Sequence, residues 1–302
     1  MSMMAAMEEL DALLRLPRGA QLAAVQAWRK QVPAPELPEA WNSAFGPDSL
    51  FSAWTKTALV QGIYAANAAA LAPVVARPGF TVLEVGGGDG SLWRLLLKPS
   101  SRGQLVLVDP HPAAHAAVRE ALPEGVELVS VVGSVAEVAL PAVDAAVCSL
   151  TLHHVAGADA AERRAHGLDG PGKLEALRAV GGALRGGPLL LNEADVFCDL
   201  GLAPGDPILA DRILDSYLRR CGRALMLEIA GCPDPELASR WWAILRRWCV
   251  DQLDVVDAPI AERDVYELDV PRWLALVERA GLQVRARGFT DRWGLFCRYV
   301  VG

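Results

Sequence analysis

From residue 79 onward, short apolar runs alternate with stretches of helical periodicity. Five runs are almost continuously apolar, as buried strands are: TVLEV (81–85), QLVLVD (104–109), VELVSVV (126–132), DAAVCSL (144–150) and PLLLNE (188–193). Strands of this kind, separated by helices, are typical of a parallel sheet that is covered on both faces. Two further strand-like runs, 282–289 and 294–301, lie too close together for a parallel crossover, so they predict an antiparallel hairpin.

The remaining segments have helical spacing. They are 8–30 (broken near 17–19), 49–76, 271–281 and two stretches between 210 and 248 that follow the fifth strand. We therefore predict an α/β fold with a doubly wound, seven-stranded, mostly parallel sheet and an antiparallel C-terminal hairpin. The predicted parts are an N-terminal helical extension (1–78), a Rossmann-like core (79–195 and 263–302) and a helical cap insertion (196–262).

Composition narrows the class of protein. The chain has 302 residues, 52% hydrophobic and 22% charged, with a net charge of −7. This balance disfavours a general nucleic-acid or anionic-membrane surface, which would be basic. The first residues carry acids where a secretory signal would be basic, and no run of about 18 uninterrupted apolar residues is present. We expect a cytoplasmic protein. The six cysteines are scattered without a C-x-x-C pair, which predicts buried free thiols and no metal site.

The stretch TVLEVGGGDGSLW (81–93) places an acid and spaced glycines directly after the first buried strand. Its spacing is E-x-G-x-G-x-G, from Glu84 through Gly86 and Gly88 to Gly90. A dinucleotide-binding turn needs its third glycine where this chain has Ser91, and acids beside the turn would repel a pyrophosphate. The second strand ends in Asp109, a suitable acceptor for the two hydroxyls of a ribose. These features indicate a nucleoside ligand without a phosphate.

The ordered set of segments over about 79–195, with the terminal hairpin, resembles the class I S-adenosylmethionine-dependent methyltransferases. The resemblance implies S-adenosyl-L-methionine as cofactor. In that family many members have, where this chain has Ser134, an acid that binds the adenine amino group. The segment 144–155 looks like the motif that lines the space between the sulfonium and the acceptor. The cofactor-binding residues it implies are Glu84, Gly86, Gly88, Gly90, Asp109, Pro110, Ser134, Val135 and Ser149.

Candidate catalytic residues cluster at the predicted carboxyl edge of the sheet, where ligands bind in open α/β folds. His153 and His154 follow the fourth strand and suit proton abstraction, although one of them packing inward is the alternative. Glu193 and Asp195 leave the fifth strand; they could act as base, bind a cationic acceptor or cap the insertion. Tyr266 is a further candidate hydrogen-bond donor to the acceptor.

Aromatic residues of the N-terminal segment and the insertion form a candidate roof over the acceptor: Trp54, Tyr64, Trp241, Trp242 and Trp248. Packing in the core is the alternative reading of these rings. We expect methyl transfer to a small organic acceptor, with O-methylation of a secondary metabolite as the favoured reaction. Two alternatives remain open, methylation of a peptide or protein and a catalytically inactive protein that binds the cofactor or a partner. A homodimer is also open.

Overall fold

The computed structural model describes residues 2–42, 46, 48–155, 171–196, 205–256 and 267–302. In these residues the chain forms one seven-stranded sheet. Its strands are β1 (Phe80–Val85), β2 (Gly103–Asp109), β3 (Val126–Val132), β4 (Ala145–Ser149), β5 (Leu189–Ala194), β6 (Val284–Phe289) and β7 (Phe296–Val301). Each predicted strand is therefore present, with ends shifted by at most two residues.

The strand order is β3-β2-β1-β4-β5-β7-β6. The first five strands of this order are parallel, and β7 runs antiparallel to both β5 and β6. The predicted fold class is confirmed. Because the chain steps outward from β1 in both directions, a crevice opens at the carboxyl ends of β1 and β4.

The helices of the described residues are named here in chain order. They are α1 (Met3–Leu13), α2 (Arg18–Gln31), α3 (Leu50–Thr55), α4 (Ala58–Val75), α5 (Ser91–Leu96), α6 (Pro112–Ala121), α7 (Pro171–Ala183), α8 (Pro207–Ile213), α9 (Arg223–Gly231), α10 (Pro235–Ile244) and α11 (Val270–Arg279). The segment predicted as one helix over 49–76 is two, because Thr57 caps α4 and interrupts the run.

Successive side chains of a strand point to opposite faces of the sheet, which sorts the apolar residues into two cores. Val82 packs with Leu71 of α4 and Trp93 of α5. Its neighbour Leu83 belongs to the larger core, which is shared with α1, α2 and the helices between β5 and α11. Helices α1 and α2 and the inserted helices therefore cover the same face of the sheet, whereas the C-terminal part of α4 packs on the other face.

Helix α4 (Ala58–Val75) is the one described helix that is long and apolar enough to cross a membrane by length and composition. In the fold it packs against the sheet. Asn67 in its middle is fully buried and donates a hydrogen bond to Ser149 at the end of β4, 2.9 Å away. Six of its apolar residues are buried inside the protein: Leu59, Val60, Ile63, Leu71, Val74 and Val75.

The inserted helices differ from the predicted uniform spacing. Two segments are wound as π-helix, Leu214–Gly222 (π1) between α8 and α9, and Leu245–Val250 (π2) after α10. A π-turn adds a residue to the repeat, so the 3.6-residue pattern slips. Ser216 is consequently buried, whereas Tyr217, expected in the core, is half-buried. The two π-segments pack together, with Cys221 Sγ 3.5 Å from Cys249 Sγ.

Asp195 joins the insertion to the core. Its Oδ2 accepts from Arg220 Nη1 of π1 at 3.2 Å, and its backbone oxygen also accepts from this guanidinium. Its Oδ1 accepts the backbone N–H of Val270, the first residue of α11, at 2.9 Å. Of the roles predicted for Asp195, these contacts match the anchoring of the insertion.

Asp195→Ala should lower the free energy of unfolding by about 1–3 kcal/mol, since Arg220 and the Val270 N–H lose a charged partner. Asp215→Ala is the matched control, because this more exposed acid contacts Arg220 at 3.5 Å and should contribute less than about 1 kcal/mol. Urea denaturation measures both. Equal losses in the two variants would contradict the anchoring role of Asp195.

Candidate active site

The turn after β1 has left-handed backbone at three glycines, with φ of +79° at Gly86, +53° at Gly88 and +74° at Gly90. Side chains are disfavoured there. A Cβ on Gly86 would lie 2.2 Å from Thr151 Oγ1. The exits of β1 and β4 therefore touch directly, and Thr151 donates from the same oxygen to the carbonyl of Val85 or of Ser149.

Glu84 lies buried beneath this turn and accepts a hydrogen bond from the indole N–H of Trp93. Burial raises the pKa of Glu84 to about 8, and the neighbouring carboxylates Asp109 and Asp89 add to the rise while the Trp93 bond opposes it. Three acids thus surround one glycine turn.

Asp109 is buried at the end of β2, and each carboxylate oxygen already accepts one backbone N–H. Oδ2 accepts from Gly87 at 3.1 Å and Oδ1 from His111 at 2.8 Å. Since a carboxylate oxygen accepts more than one hydrogen bond, both retain lone pairs for sugar hydroxyls. The bond from Gly87 fixes this carboxylate beside the glycine turn, as a ribose contact requires.

These residues fit S-adenosylmethionine. The left-handed glycines let the backbone turn tightly after β1, and the carboxylates of Asp89 and Asp109 favour a cationic group over a pyrophosphate. Asp109 would supply the acceptors for the ribose.

The other residues predicted to bind the cofactor lie around the same crevice. Pro110 is exposed directly after Asp109, and Val135 is buried beyond the end of β3. Ser134 is half-buried, and its carbonyl accepts the N–H of Glu137. Ser149 is engaged within the protein, because its hydroxyl oxygen accepts from the amides of Asn67 and Asn192.

Glu193 organises the acceptor side of the crevice. This fully buried carboxylate accepts two backbone N–H groups through Oε1, from Leu152 at 2.7 Å and from Thr151 at 3.1 Å. Its Oε2 lies 2.8 Å from His153 Nδ1. One acid from β5 therefore fixes both the turn after β4 and the orientation of the imidazole.

The two histidines differ in environment. Burial alone would lower the pKa of His153, but the charge and hydrogen bond of Glu193 outweigh it, so the pKa is raised. The His153 side chain retains 13% exposure. His154 is exposed and its ring centroid lies 4.1 Å from that of His153, without a carboxylate partner among the hydrogen bonds of the described residues.

Two residues beside His153, Glu267 and Lys173, were not singled out from the sequence. Glu267 is buried, receives a hydrogen bond from the Tyr217 hydroxyl of π1, and has its pKa raised by burial, against the opposing charge of His153. Lys173 is almost fully buried and donates to the carbonyl of Val155 at 2.7 Å. Lys173 could have been found from the sequence, because it is a charged residue in the first turn of an otherwise apolar helix face. Tyr266 lies outside the described residues.

The aromatic candidates divide into two groups. Trp241 and Trp242 are buried in the core, and Trp241 donates from Nε1 to the carbonyl of Ala53 at 2.8 Å. Trp54 and Trp248 are half-buried, with ring centroids 5.9 Å apart, and form a candidate wall.

Tyr64 packs against the smaller core, on the other face of the sheet from Trp54 and Trp248. Its pKa is raised by burial and then by Asp89 and Glu84. In the described part of the chain no group of three or more histidine, cysteine, aspartate or glutamate side chains is placed to hold a metal ion.

Residues 83–172 match a family described as methyltransferase domain. No curated protein sequence matches the chain. Among solved structures, mitomycin 7-O-methyltransferase MmcR is 16% identical with a TM-score of 0.40, over 97% of this chain and 74% of that one. Magnesium protoporphyrin IX methyltransferase (ChlM) from Synechocystis PCC 6803 is 12% identical with a TM-score of 0.43, over 92% and 94%.

A third, an O-methyltransferase family 2 protein from Planctomyces limnophilus DSM 3776, is 14% identical with a TM-score of 0.41 over 81% of this chain. The present chain spans 64% of the length of that protein. The match over 83–172 lies on the glycine turn, Asp109 and the exit of β4. Residues 83–172 are therefore similar to a methyltransferase domain, and such a domain implies S-adenosylmethionine as cofactor.

The buried Glu84 yields a stability prediction. Unfolded, this carboxyl ionises near pH 4.3, whereas the fold holds its proton up to about pH 8. The folded state then binds more protons across this window, so stability falls as the pH rises from about 4.3 to about 8.

Glu84→Gln should remove that decline and raise the free energy of unfolding of the ligand-free protein at pH 7.5 by about 1–3 kcal/mol. Urea denaturation at several pH values measures it. Glu137→Gln, at an exposed position, is the control for lost surface charge. The same pH slope in Glu84→Gln and the unsubstituted protein would show that Glu84 is ionised in the fold.

Proposed function

We propose that this protein transfers the methyl group of S-adenosylmethionine to an oxygen of a small organic acceptor, a secondary metabolite in the cytoplasm, with His153 as general base. The observation that supports His153 as the base is the 2.8 Å contact between its Nδ1 and the buried Glu193 carboxylate, beside the glycine turn. The cofactor supplies an electrophilic methyl group. The protein has to align the acceptor oxygen and remove its proton.

Glu193 sets the tautomer of His153. When Nδ1 carries the proton donated to Glu193 Oε2, Nε2 has a free lone pair and can accept the proton of an acceptor hydroxyl. The imidazolium formed in this way is stabilised by the adjacent carboxylate. The electron pair left on the acceptor oxygen would form the new carbon–oxygen bond with the methyl group that the cofactor would supply.

A small acceptor is favoured by what packs around His153. Tyr217 of π1 reaches Glu267, and Trp248 of π2 contacts Trp54, so the insertion and the N-terminal helices lie over the same face of the sheet. Elements of the chain itself that cover a crevice exclude water and restrict access. A peptide or protein acceptor would require an open groove there.

Asp109→Ala should weaken binding of S-adenosylmethionine by roughly 1–3 kcal/mol, because two charge-assisted hydrogen bonds to the ribose are lost. Isothermal titration calorimetry with the cofactor and with its demethylated product measures the change. Glu120→Ala, an exposed acid on α6, is the charge-matched control. Unchanged affinity in Asp109→Ala would remove Asp109 from the cofactor site.

His153→Ala should lower kcat by about 100-fold or more while leaving cofactor affinity intact, as expected for loss of a general base. Because only neutral His153 can accept a proton, kcat should rise with pH through a pKa above the ordinary histidine value. Glu193→Gln keeps an acceptor for Nδ1 but removes the charge, so this limb should move to lower pH. A larger loss in His154→Ala than in His153→Ala would assign the base to His154.

The acceptor class is tested by incubating the protein and S-adenosylmethionine with panels of phenolic and other hydroxylated metabolites, amines, and peptides. Mass spectrometry of the products identifies the methylated atom. Methylation of peptides alone would replace the proposal with a macromolecular acceptor. Tight cofactor binding without any product would favour the inactive, partner-binding alternative.

A further inference from the structure

Helix α3 (Leu50–Thr55) of the N-terminal extension lies directly on the glycine turn. The Thr55 hydroxyl is 2.9 Å from Asp89 Oδ2 and 3.0 Å from the Ser52 carbonyl, so its single proton is donated to one or the other. The Phe51 ring approaches to 3.2 Å of the position that a Cβ on Gly88 would occupy. Two side chains, one turn apart, thus contact the cofactor turn.

The same helix is held by the insertion on its other side. The indole N–H of Trp241 in α10 donates to the carbonyl of Ala53 at 2.8 Å. Trp54 packs edge-on against Trp248 of π2 and Phe296 of β7, with ring centroids 5.9 and 6.1 Å apart. Ala53 is fully buried in this contact.

A six-residue helix is too short to be stable by itself and depends on its neighbours. The neighbours of α3 are the cofactor turn on one side and the cap helices on the other. Asp89 further caps the first turn of α5 through Ser91, so the carboxylate that binds Thr55 also belongs to the turn. A change in the turn is transmitted to α3 through Thr55 and Phe51, and from α3 to the cap through Ala53 and Trp54.

We propose that α3 couples the glycine turn to the helical cap. Phe51 and Thr55 position the turn for the cofactor. Ala53 and Trp54 transmit the binding of the cofactor from α3 to the cap helices. This inference rests on the proposed function. Cofactor binding orders the turn, α3 docks more firmly, and the cap closes around the acceptor afterwards. Such coupling is reciprocal, so the cap also strengthens cofactor binding.

The test uses the full chain and the demethylated cofactor, S-adenosylhomocysteine. Thr55→Val keeps the shape of the side chain but removes the hydroxyl, and should raise the Kd by about fivefold, the scale of one hydrogen bond. Phe51→Ala should raise the Kd by tenfold or more. Lys56→Gln, an exposed position at the end of α3, is the matched control.

Hydrogen–deuterium exchange provides a readout that does not depend on turnover. In the unsubstituted protein, saturating S-adenosylhomocysteine should slow exchange across Pro235–Ile244 as well as at the glycine turn. Trp241→Phe removes the hydrogen bond from the cap to Ala53 and keeps an aromatic ring in the core. In Thr55→Val and in Trp241→Phe, the turn should still be protected and the cap much less so.

The outcomes separate the two proposals. If the unsubstituted protein does not bind S-adenosylhomocysteine, the proposed function itself is wrong. If it binds, and Thr55→Val and Phe51→Ala show the affinity and cap protection of Lys56→Gln, α3 is a structural cover and the coupling is overturned. Circular dichroism and thermal unfolding confirm that each variant is folded; should Phe51→Ala unfold, Thr55→Val and Trp241→Phe carry the test.

Discussion

The buried carboxylate of Glu193 is the interaction on which the acceptor side of this protein depends. Two backbone N–H groups and one imidazole nitrogen surround it, and it is fully shielded from water. A buried charge without such partners would be strongly destabilising. Because the two N–H groups and the imidazole are all bound to this one carboxylate, the turn after β4 is held rigidly. The position of Glu193 on β5 therefore determines the orientation of the His153 ring.

The cofactor side has the opposite electrostatic character. Asp89 and Asp109 concentrate negative potential around the turn, to which the protonated Glu84 adds no charge below about pH 8, whereas His153 and Lys173 lie on the acceptor side with their own acids. A sulfonium is attracted to the first region only while it carries its charge. Methyl transfer removes that charge, so the same carboxylates that favour binding of the reactant hold the neutral product less strongly. Release of the product is thus assisted by the arrangement that captures the substrate.

The sheet could be predicted from the sequence because its signals are local. Strands of five to seven residues repeat their apolar pattern over neighbours in the chain, and the glycine turn is contiguous. Glu84, the glycines and Asp109 were recognisable for this reason, and the structure brings them together. The contacts that define the acceptor side are non-local: Tyr217 meets Glu267 across 50 residues and His153 meets Glu193 across 40.

No spacing rule predicts such pairs. The π-segments also escaped prediction, since the apolar pattern of π1 fits an ordinary helix and only packing against π2 reveals the slip at Ser216. The sequence also could not decide where Trp241 and Trp242 lie, because aromatic residues at helical spacing are compatible with both a core and a pocket wall.

Asp195 gives the architecture a further property. Asp195 directly follows β5, and its carboxylate accepts the N–H of Val270 at the start of α11, the helix that precedes β6. An insertion whose two ends meet at one point places few geometric demands on the scaffold that carries it. Its helices can therefore change in length or composition while β1, β2 and the glycine turn keep their positions. Under the proposed function, such changes would alter the choice of acceptor without disturbing the part of the sheet that carries the methyl donor.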